Sequence, residues 1–127
     1  MITRLRTSKE SKERLVYLNT VLRMSSYAII LRYAVMRSVL VDKNVEGDPD
    51  AKVLNYGGFE ITRKTLFGDN EIIYKLLTNS EQIDDEDFFP KRINMHIERG
   101  LKLMEGDYKL SGNKERFIKN YINKIEE

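Results

Sequence analysis

Apolar residues recur at helical spacing along most of the chain, and this pattern predicts a mainly α, compact helical domain with at most short strands. The first residues alternate instead, so that Arg4 and Arg6 would share one face of a short strand or arm. Residues 7–10 then have the spacing of a capping box, in which a hydroxyl and a carboxylate satisfy free backbone amides. We therefore predict a first helix that runs to about Leu22.

The segment after this helix is apolar on nearly every side. A second helix should begin at Ser25 or Ser26 and end near Val41, with Arg32 and Arg37 as its charged residues. A domain this small can hardly cover every face of such a helix. We predict that another copy of the same chain packs against it. The alternative is a central helix that is enclosed by elements of its own chain.

The chain of 127 residues is long enough for one hydrophobic core and too short for two, so a single domain is predicted over residues 1–127. Residues 1–41 hold the basic arm and the first two helices. Residues 42–58 contain three glycines and a proline without apolar periodicity, which predicts a mobile loop. Residues 59–127 form a helical remainder that begins with a short alternating strand.

Three helices are predicted in this remainder, at about residues 70–78, from Pro90 to about Met104, and after a cap at Ser111. The middle helix should bury four apolar residues, Ile93, Ile97, Leu101 and Met104. A different stripe of the same helix carries Arg92, His96 and Arg99. Gly100 costs this helix roughly 1 kcal/mol against alanine, which predicts a close approach to a neighbouring helix.

The charges are distributed unevenly, although the formal net charge is only +2. Residues 1–43 carry nine basic and three acidic side chains, residues 44–90 carry four and eleven, and residues 91–127 carry nine and six. Two basic ends therefore flank an acidic middle. The basic ends are the candidate contacts for a polyanion.

The chain has no cysteine, which suits a reducing cytoplasm and excludes disulfides and thiolate chemistry. The N-terminal residues lack the apolar core of a secretory signal. No apolar run approaches the roughly 20 residues that span a bilayer. We predict a cytoplasmic protein that is not embedded in a membrane.

Candidate catalytic residues are few. His96 is the single histidine, and between two arginines on a helix it is more often a surface or DNA-backbone contact than a general base. The sequence has neither a Gly-x-Ser-x-Gly turn nor a Gly-Lys-Ser/Thr phosphate loop. The acidic residues 84–87 suit a helix start without a metal. We predict a non-enzymatic protein with no cofactor.

The basic side chains remain as candidate binding residues. A cluster of them can neutralise phosphates and release condensed counterions, although ordinary solubilising side chains would give the same composition. An oligomer would present such a cluster several times to one polyanion. The candidate DNA-binding residues are Arg4, Arg6, Lys9, Lys12 and Arg14, with Lys91, Arg92, Arg99 and Lys102 as a second patch.

The order of a basic strand, an amphipathic helix, a serine-led turn and an apolar helix resembles the ribbon-helix-helix arrangement over the first third of the chain. In that arrangement two chains pair their strands and interlock their helices. It implies that Arg4 and Arg6 face DNA and contact base edges in the major groove. A sequence-specific regulator of this type is one alternative function, and a scaffold that contacts partner proteins is another.

Several segments taken together resemble the DNA sulfur modification protein DndE family, a small component of bacterial DNA phosphorothioation. They follow the family's order over most of the chain and are Arg4–Ser8, Ile29–Ala34, Arg37–Ser38, Lys64–Gly68, Ile73–Leu77 and His96–Leu101. The resemblance implies a subunit that serves the replacement of a non-bridging phosphate oxygen by sulfur without performing that chemistry. It also implies a homotetramer that binds double-stranded DNA, nicked duplex included, and acts with other phosphorothioation proteins.

Overall fold

A computed structural model of the chain describes residues 3–68, 75 and 88–126, with the backbone alone for residues 88 and 121–126. The helix predicted at residues 70–78 lies outside the described residues except for Lys75, which is helical. The acidic residues 84–87 also lie outside them.

Helices dominate the described part of the chain, so the predicted mainly α class is confirmed. In chain order the elements are strand β1 (Arg4–Arg6), helix α1 (Lys9–Leu22), helix α2 (Tyr27–Val39), a 3-10 turn (Pro49–Ala51), strand β2 (Glu60–Thr62), helix α3 (Arg63–Phe67), a distorted helical turn (Phe88–Arg92), helix α4 (Ile93–Ser111) and helix α5 (Lys114–Glu126). No helix within the described ranges combines the length and the apolar character needed to cross a membrane.

The two strands pair with each other and attach the start of the chain to its middle. They are antiparallel, with Leu5 opposite Ile61 and Arg6 opposite Glu60. Leu5 and Ile61 are buried in the core, so the alternation of the strand leaves Arg4 and Arg6 on the outer face. In the ribbon-helix-helix arrangement the strand pairs with a second chain, whereas β1 pairs with β2 of its own chain.

Ser8, rather than Thr7, caps helix α1. The Ser8 hydroxyl accepts a hydrogen bond from the Ser11 backbone N–H at 3.0 Å. The Thr7 hydroxyl accepts the Phe59 backbone N–H at 2.9 Å instead, because the pairing of the strands brings Phe59 beside it. The predicted capping box is therefore wrong in its cap residue, while the predicted helix and its end at Leu22 are confirmed.

Helix α4 lies at the centre of the hydrophobic core. Its predicted apolar stripe is completely buried and consists of Ile93, Ile97, Leu101 and Met104. Helix α2 crosses it so closely that a Cβ atom on Gly100 would lie 1.8 Å from the Ala34 carbonyl oxygen. The close helix approach predicted at Gly100 is confirmed. Only a residue without a side chain lets the two backbones meet at this point.

Helix α4 ends at Ser111, later than the predicted end at about Met104, and continues through Gly106. Tyr108 lies beyond that glycine, and its ring packs edge-on against Tyr17 and Phe117, with centroid distances of 6.3 Å and 5.9 Å. Such ring contacts offset the roughly 1 kcal/mol that a glycine costs inside a helix. Aromatic contacts from other helices therefore extend α4 past a residue that locally favours its end.

Asn113 caps helix α5, a role that the sequence pattern assigned to Ser111. The Asn113 side-chain oxygen accepts the Arg116 backbone N–H at 2.9 Å. Ser111 is the last residue of α4, and its hydroxyl donates to the Asp107 carbonyl at 2.8 Å. Gly112, with a φ of 85°, makes the left-handed turn between the two helices.

Helix α2 buries one face within its own chain and leaves another exposed. The buried residues are Ala28, Ile30, Leu31, Ala34, Val35 and Ser38. For this face, enclosure by the same chain is the correct alternative. The opposite face carries Ile29 and Met36, which are half-buried, and Tyr33, which is 37% exposed; Leu40, directly after the end of the helix, continues this face and is 56% exposed. We call these four residues the α2 stripe.

Candidate nucleic-acid interface

The outer face of the two-stranded sheet carries two arginines beside one carboxylate. Arg6 Nη2 lies 3.3 Å from Glu60 Oε2, and Arg4 Nη1 lies 3.9 Å from Glu60 Oε1. The side chains of Arg4 and Arg6 are 68% and 50% exposed. Exposed ion pairs of this kind contribute at most about 1 kcal/mol. Both guanidinium groups can therefore exchange the carboxylate for an anion in solution.

Two lysines follow on the first turn of helix α1, and the side chains of Lys9 and Lys12 are both exposed. At about 3.3 Å per strand residue and 1.5 Å per helical residue, the four cations lie within roughly 20 Å of one another along the backbone. That distance spans several phosphates of a DNA duplex. We call Arg4, Arg6, Lys9 and Lys12 the N-terminal basic surface.

Arg14, the fifth residue of the predicted cluster, lies against helix α4. Its Nη1 is 3.7 Å from Glu98 Oε2, and its side chain is 26% exposed. Glu98 is buried, and its Oε1 also accepts the Ser8 hydroxyl at 2.6 Å. Arg14 thus links α1 to α4. Only about a quarter of its side chain is exposed, so it adds little to the basic surface.

The second predicted patch does not form one exposed surface. Lys91 is exposed. Arg92 is only 8% exposed, and its guanidinium lies 3.0 Å from Asn44 Oδ1 and 3.5 Å from Glu46 Oε1. Lys102 Nζ donates to a backbone carbonyl at residue 50, at 3.0 Å. Arg92 and Lys102 therefore hold the connection between α2 and β2 against the helix, and the patch reduces to Lys91 with part of Lys102.

Arg99 is buried, with 2% exposure, and binds four groups inside the domain. Its Nε and Nη2 donate to the Ser38 hydroxyl and the Ser38 carbonyl, each at 2.8 Å. Its Nη1 donates to the Lys43 carbonyl at 2.8 Å and to Asp48 Oδ2 at 3.1 Å. Arg99 was predicted to contact DNA in the second patch, but it is buried because the connection after α2 folds over this face of α4.

His96 belongs to the same buried group. Its Nδ1 lies 2.8 Å from the Ser38 hydroxyl oxygen, and it is 1% exposed. The same hydroxyl oxygen accepts the Arg99 Nε–H at 2.8 Å, so Ser38 of α2 contacts both His96 and Arg99 of α4. The expected surface position of His96 is wrong, and the serine and histidine are both closed to a substrate. Among the described residues no three metal-ligating side chains are grouped to hold an ion.

Asp48 is the acidic partner of Arg99. The Asp50 backbone N–H donates to its Oδ1 at 3.0 Å and, together with Arg99 and Lys43, lowers the pKa of Asp48 despite its burial. A lowered pKa means that its stabilising contribution is present above the ordinary pKa and is lost as the pH falls through the lowered one. The mobility predicted for residues 42–58 stays a prediction, but this anchor restricts the middle of the segment.

The same connection presents an exposed tip, formed by residues 54–56, beside helix α1. Asn55 fixes it, because its Oδ1 accepts the Lys9 backbone N–H at 2.9 Å and its Nδ2 donates to Glu10 Oε2 at 2.9 Å. The pKa of Glu10 is lowered by its own backbone N–H and then by Asn55, so this carboxylate stays charged. On either side of Asn55, Leu54 and Tyr56 are 72% and 64% exposed.

Neither the cluster around Arg99 nor the tip was predicted from the sequence. One signal for the cluster was present, since Ser38 is a small polar residue seven positions after Leu31 on the buried face of an apolar helix. A buried hydroxyl requires a hydrogen-bonding partner. The tip carries no comparable signal, because the exposure of Leu54 and Tyr56 depends on contacts made by residues distant in sequence.

Comparison with known proteins places the chain in one family. A sequence model of the family described as DNA sulphur modification protein DndE matches residues 4–112. A search of curated protein sequences gives no match. The crystal structure of DndE from Escherichia coli B7A, involved in DNA phosphorothioation modification, is similar with a TM-score of 0.60 and 21% identity, covering 80% of this chain and 95% of that chain. The structure of a DndE mutant involved in DNA phosphorothioation has a TM-score of 0.62 and 20% identity, covering 81% and 97%. Because the family match covers most of its length, the chain belongs to the DndE family of DNA sulphur modification proteins.

Proposed function

We propose that this chain is a non-enzymatic DNA-binding subunit of the DNA phosphorothioation machinery. Membership of the DndE family associates it with DNA sulfur modification. The observation that carries the proposal is the N-terminal basic surface, in which two exposed arginines and two exposed lysines lie on consecutive elements. This surface contacts the sugar–phosphate backbone of duplex DNA, nicked duplex included.

The pairing of β1 with β2 supports contacts to phosphates over contacts to base edges. A ribbon-helix-helix regulator inserts a ribbon from two chains into the major groove. Here the second strand of the ribbon is β2, and its Glu60 places a carboxylate directly beside Arg4 and Arg6. Long cationic side chains at the edge of such a face are better suited to phosphates than to a fixed set of bases.

Two observations support a role without catalysis. The chain has no cysteine and so cannot carry sulfur as a persulfide. The serine and histidine that lie within hydrogen-bonding distance of each other, Ser38 and His96, are buried beside Arg99. Their contacts connect α2 with α4, and both side chains are closed to solvent in the part of the chain that the structure describes.

Removing cations from the basic surface tests the proposal. If four phosphates are neutralised per chain, the logarithm of the binding constant falls against the logarithm of salt concentration with a slope of about −3.6 per chain. Replacing both Arg6 and Lys12 by alanine should reduce that slope by about 2. The measurement is an anisotropy titration of labelled duplexes across a series of salt concentrations.

Two control variants sharpen this test. Lys114→Ala removes an exposed cation at the start of α5 and should leave the slope unchanged. Glu60→Gln releases Arg4 and Arg6 from their carboxylate and should tighten binding. An unchanged slope in the variant lacking Arg6 and Lys12 would contradict the proposal. Strong preference for one duplex over its scrambled form would favour the regulator, and negligible affinity for any duplex at low salt would favour the scaffold.

The proposal includes self-association through the α2 stripe, with a homotetramer as the expected assembly. The four residues of the stripe recur at the spacing of a helical packing seam. The charged residues that flank the stripe are engaged with their own chain. Arg32 Nη2 donates to the Thr65 carbonyl at 3.1 Å, and Arg37 Nε donates to Asp107 Oδ2 at 2.8 Å. The exposed surface between them is therefore apolar, and a second copy would repeat the basic surface along one DNA molecule.

A charge placed in the stripe should weaken this assembly. We expect Leu40→Lys to raise the subunit dissociation constant by at least about 10-fold, because the new ammonium group would be desolvated between copies. Light scattering over a range of concentrations measures the change. Leu110→Lys is the matched control, since Leu110 is 90% exposed on α4 and outside the stripe. A stable monomer of the unaltered chain at micromolar concentration would contradict self-association.

A further inference from the structure

The tip of the connection between α2 and β2 displays two large apolar side chains to solvent. Leu54 is 72% and Tyr56 64% exposed, whereas Val45 and Ala51 earlier in the same connection are buried. Exposed apolar side chains that stand next to each other at a loop tip indicate a contact site more often than isolated ones do. Packing in the core therefore does not explain why Leu54 and Tyr56 lie together at this tip.

The backbone beneath these side chains is fixed. Asn55 Oδ1 accepts the Gly57 backbone N–H at 3.0 Å in addition to that of Lys9. Gly58 N–H donates to the Thr7 carbonyl at 3.0 Å, and a Cβ atom on Gly58 would lie 2.1 Å from the Ser8 carbonyl oxygen. The tip is thus held against the junction of β1 and α1. A contact made by a prearranged segment loses little conformational entropy.

The tip also adjoins the N-terminal basic surface. Asn55 binds the backbone of Lys9, and a Cβ atom on Gly57 would lie 4.0 Å from the Lys9 Cβ atom. Lys12 is exposed one turn farther along α1, and Lys52 is exposed on the connection itself. Two apolar side chains among cations are complementary to DNA, whose bases are apolar on their faces and whose backbone is anionic.

We infer that Leu54 and Tyr56 form an apolar wedge that contacts unstacked bases of the DNA held on the N-terminal basic surface; this rests on the proposed DNA binding. Proteins insert apolar side chains between base steps, and aromatic rings stack on bases. Residues two apart are separated by at most about 7 Å, which corresponds to about two base steps of roughly 3.4 Å. A second copy of the chain is a poorer occupant, because two side chains fall far short of the about 800 Å² per partner in a stable interface.

Substitutions that change no charge distinguish the contribution of the wedge to DNA binding from that of the charged contacts. We expect Tyr56→Ala to weaken duplex binding on the order of 5- to 100-fold at every salt concentration, without changing the salt slope. Leu54→Ala should act in the same direction, whereas Tyr56→Phe keeps the ring and should bind as the unaltered chain does. Leu110→Ala, at an exposed leucine of α4, is the matched control and should have no effect.

A fluorescent side chain tests base contact directly. The chain has no tryptophan, so Tyr56→Trp introduces a single one. Its emission should be strongly quenched when an unlabelled duplex is added, while that of a Leu110→Trp variant should not. Unaltered affinity in Tyr56→Ala and unquenched emission in Tyr56→Trp would overturn the wedge and leave the proposed function standing. If light scattering gives a smaller assembly for Tyr56→Ala than for the unaltered chain, the tip is a contact between copies and the wedge is overturned. An unaltered chain that binds no duplex would overturn both.

Discussion

Replacing Arg99 by alanine is expected to lower the free energy of unfolding by about 3–5 kcal/mol. The guanidinium satisfies the Ser38 carbonyl, the Lys43 carbonyl and the Asp48 carboxylate, all inside the domain. Its removal leaves a carboxylate whose side chain is 5% exposed without its main counter-charge. Urea denaturation followed by circular dichroism measures the loss.

The comparison variant is Arg116→Ala, which removes an exposed arginine of α5 and should change stability by less than about 0.5 kcal/mol. Arg99→Lys keeps the charge but has fewer donors, so we expect a smaller loss than with alanine. In DNA titrations Arg99→Lys should keep the full salt slope, because the native side chain is buried. A destabilisation of Arg99→Ala below about 1 kcal/mol would show that water replaces these contacts.

Replacing Gly100 by alanine should destabilise the domain by at least about 3 kcal/mol, although alanine is the better helix former. The added Cβ atom would lie 1.8 Å from the Ala34 carbonyl oxygen and 2.4 Å from its carbonyl carbon. These are backbone atoms of a buried helix, so no side chain can turn away. Helices α2 and α4 would have to separate, which loosens the centre of the core. Thermal and urea denaturation both report the change.

Gly106 in the same helix provides the matched control. A Cβ atom there would meet nothing within 4 Å. Gly106→Ala should therefore raise the free energy of unfolding by about 0.5–1 kcal/mol, through the loss of backbone freedom in the unfolded chain. Opposite signs for the two glycines of one helix are the expected result. Equal gains at both positions would mean that α2 and α4 do not touch at Gly100.

The predicted elements agree with the structure where the signal is local. The alternation around Leu5 and the helical spacing of the residues after Ser8 and Ser26 depend only on neighbours in sequence. The predicted end of α4 was wrong, because Tyr108 packs against Tyr17, a residue of α1, and the helix continues to Ser111. The short helix α3 was not predicted, because Thr62, whose hydroxyl caps it, is also the last residue of strand β2.

The local sequence pattern likewise predicts the exposure of some candidate site residues and not of others. Arg4, Arg6, Lys9 and Lys12 are exposed because their strand and helix each have a polar side, which the pattern of the sequence indicates. Arg99 also lies on the polar side of its helix, yet it is buried. The difference is the connection after α2, whose carboxylate and carbonyl groups cover Arg99 and whose position no local pattern predicts.

The spacing of apolar residues alone determined the class of fold, most of the helices and the strand at the start, since each follows from the geometry of neighbouring residues. The glycine at position 100, which is costly inside a helix, indicated the close approach of a second helix. Only the tertiary structure decided that Arg92 and Arg99 are buried, which side of α2 is left uncovered and that Leu54 and Tyr56 lie near Lys9. The physical reason is that the burial of a side chain depends on segments far away in sequence. A buried arginine and an exposed one have the same local pattern until a distant carboxylate is placed beside one of them.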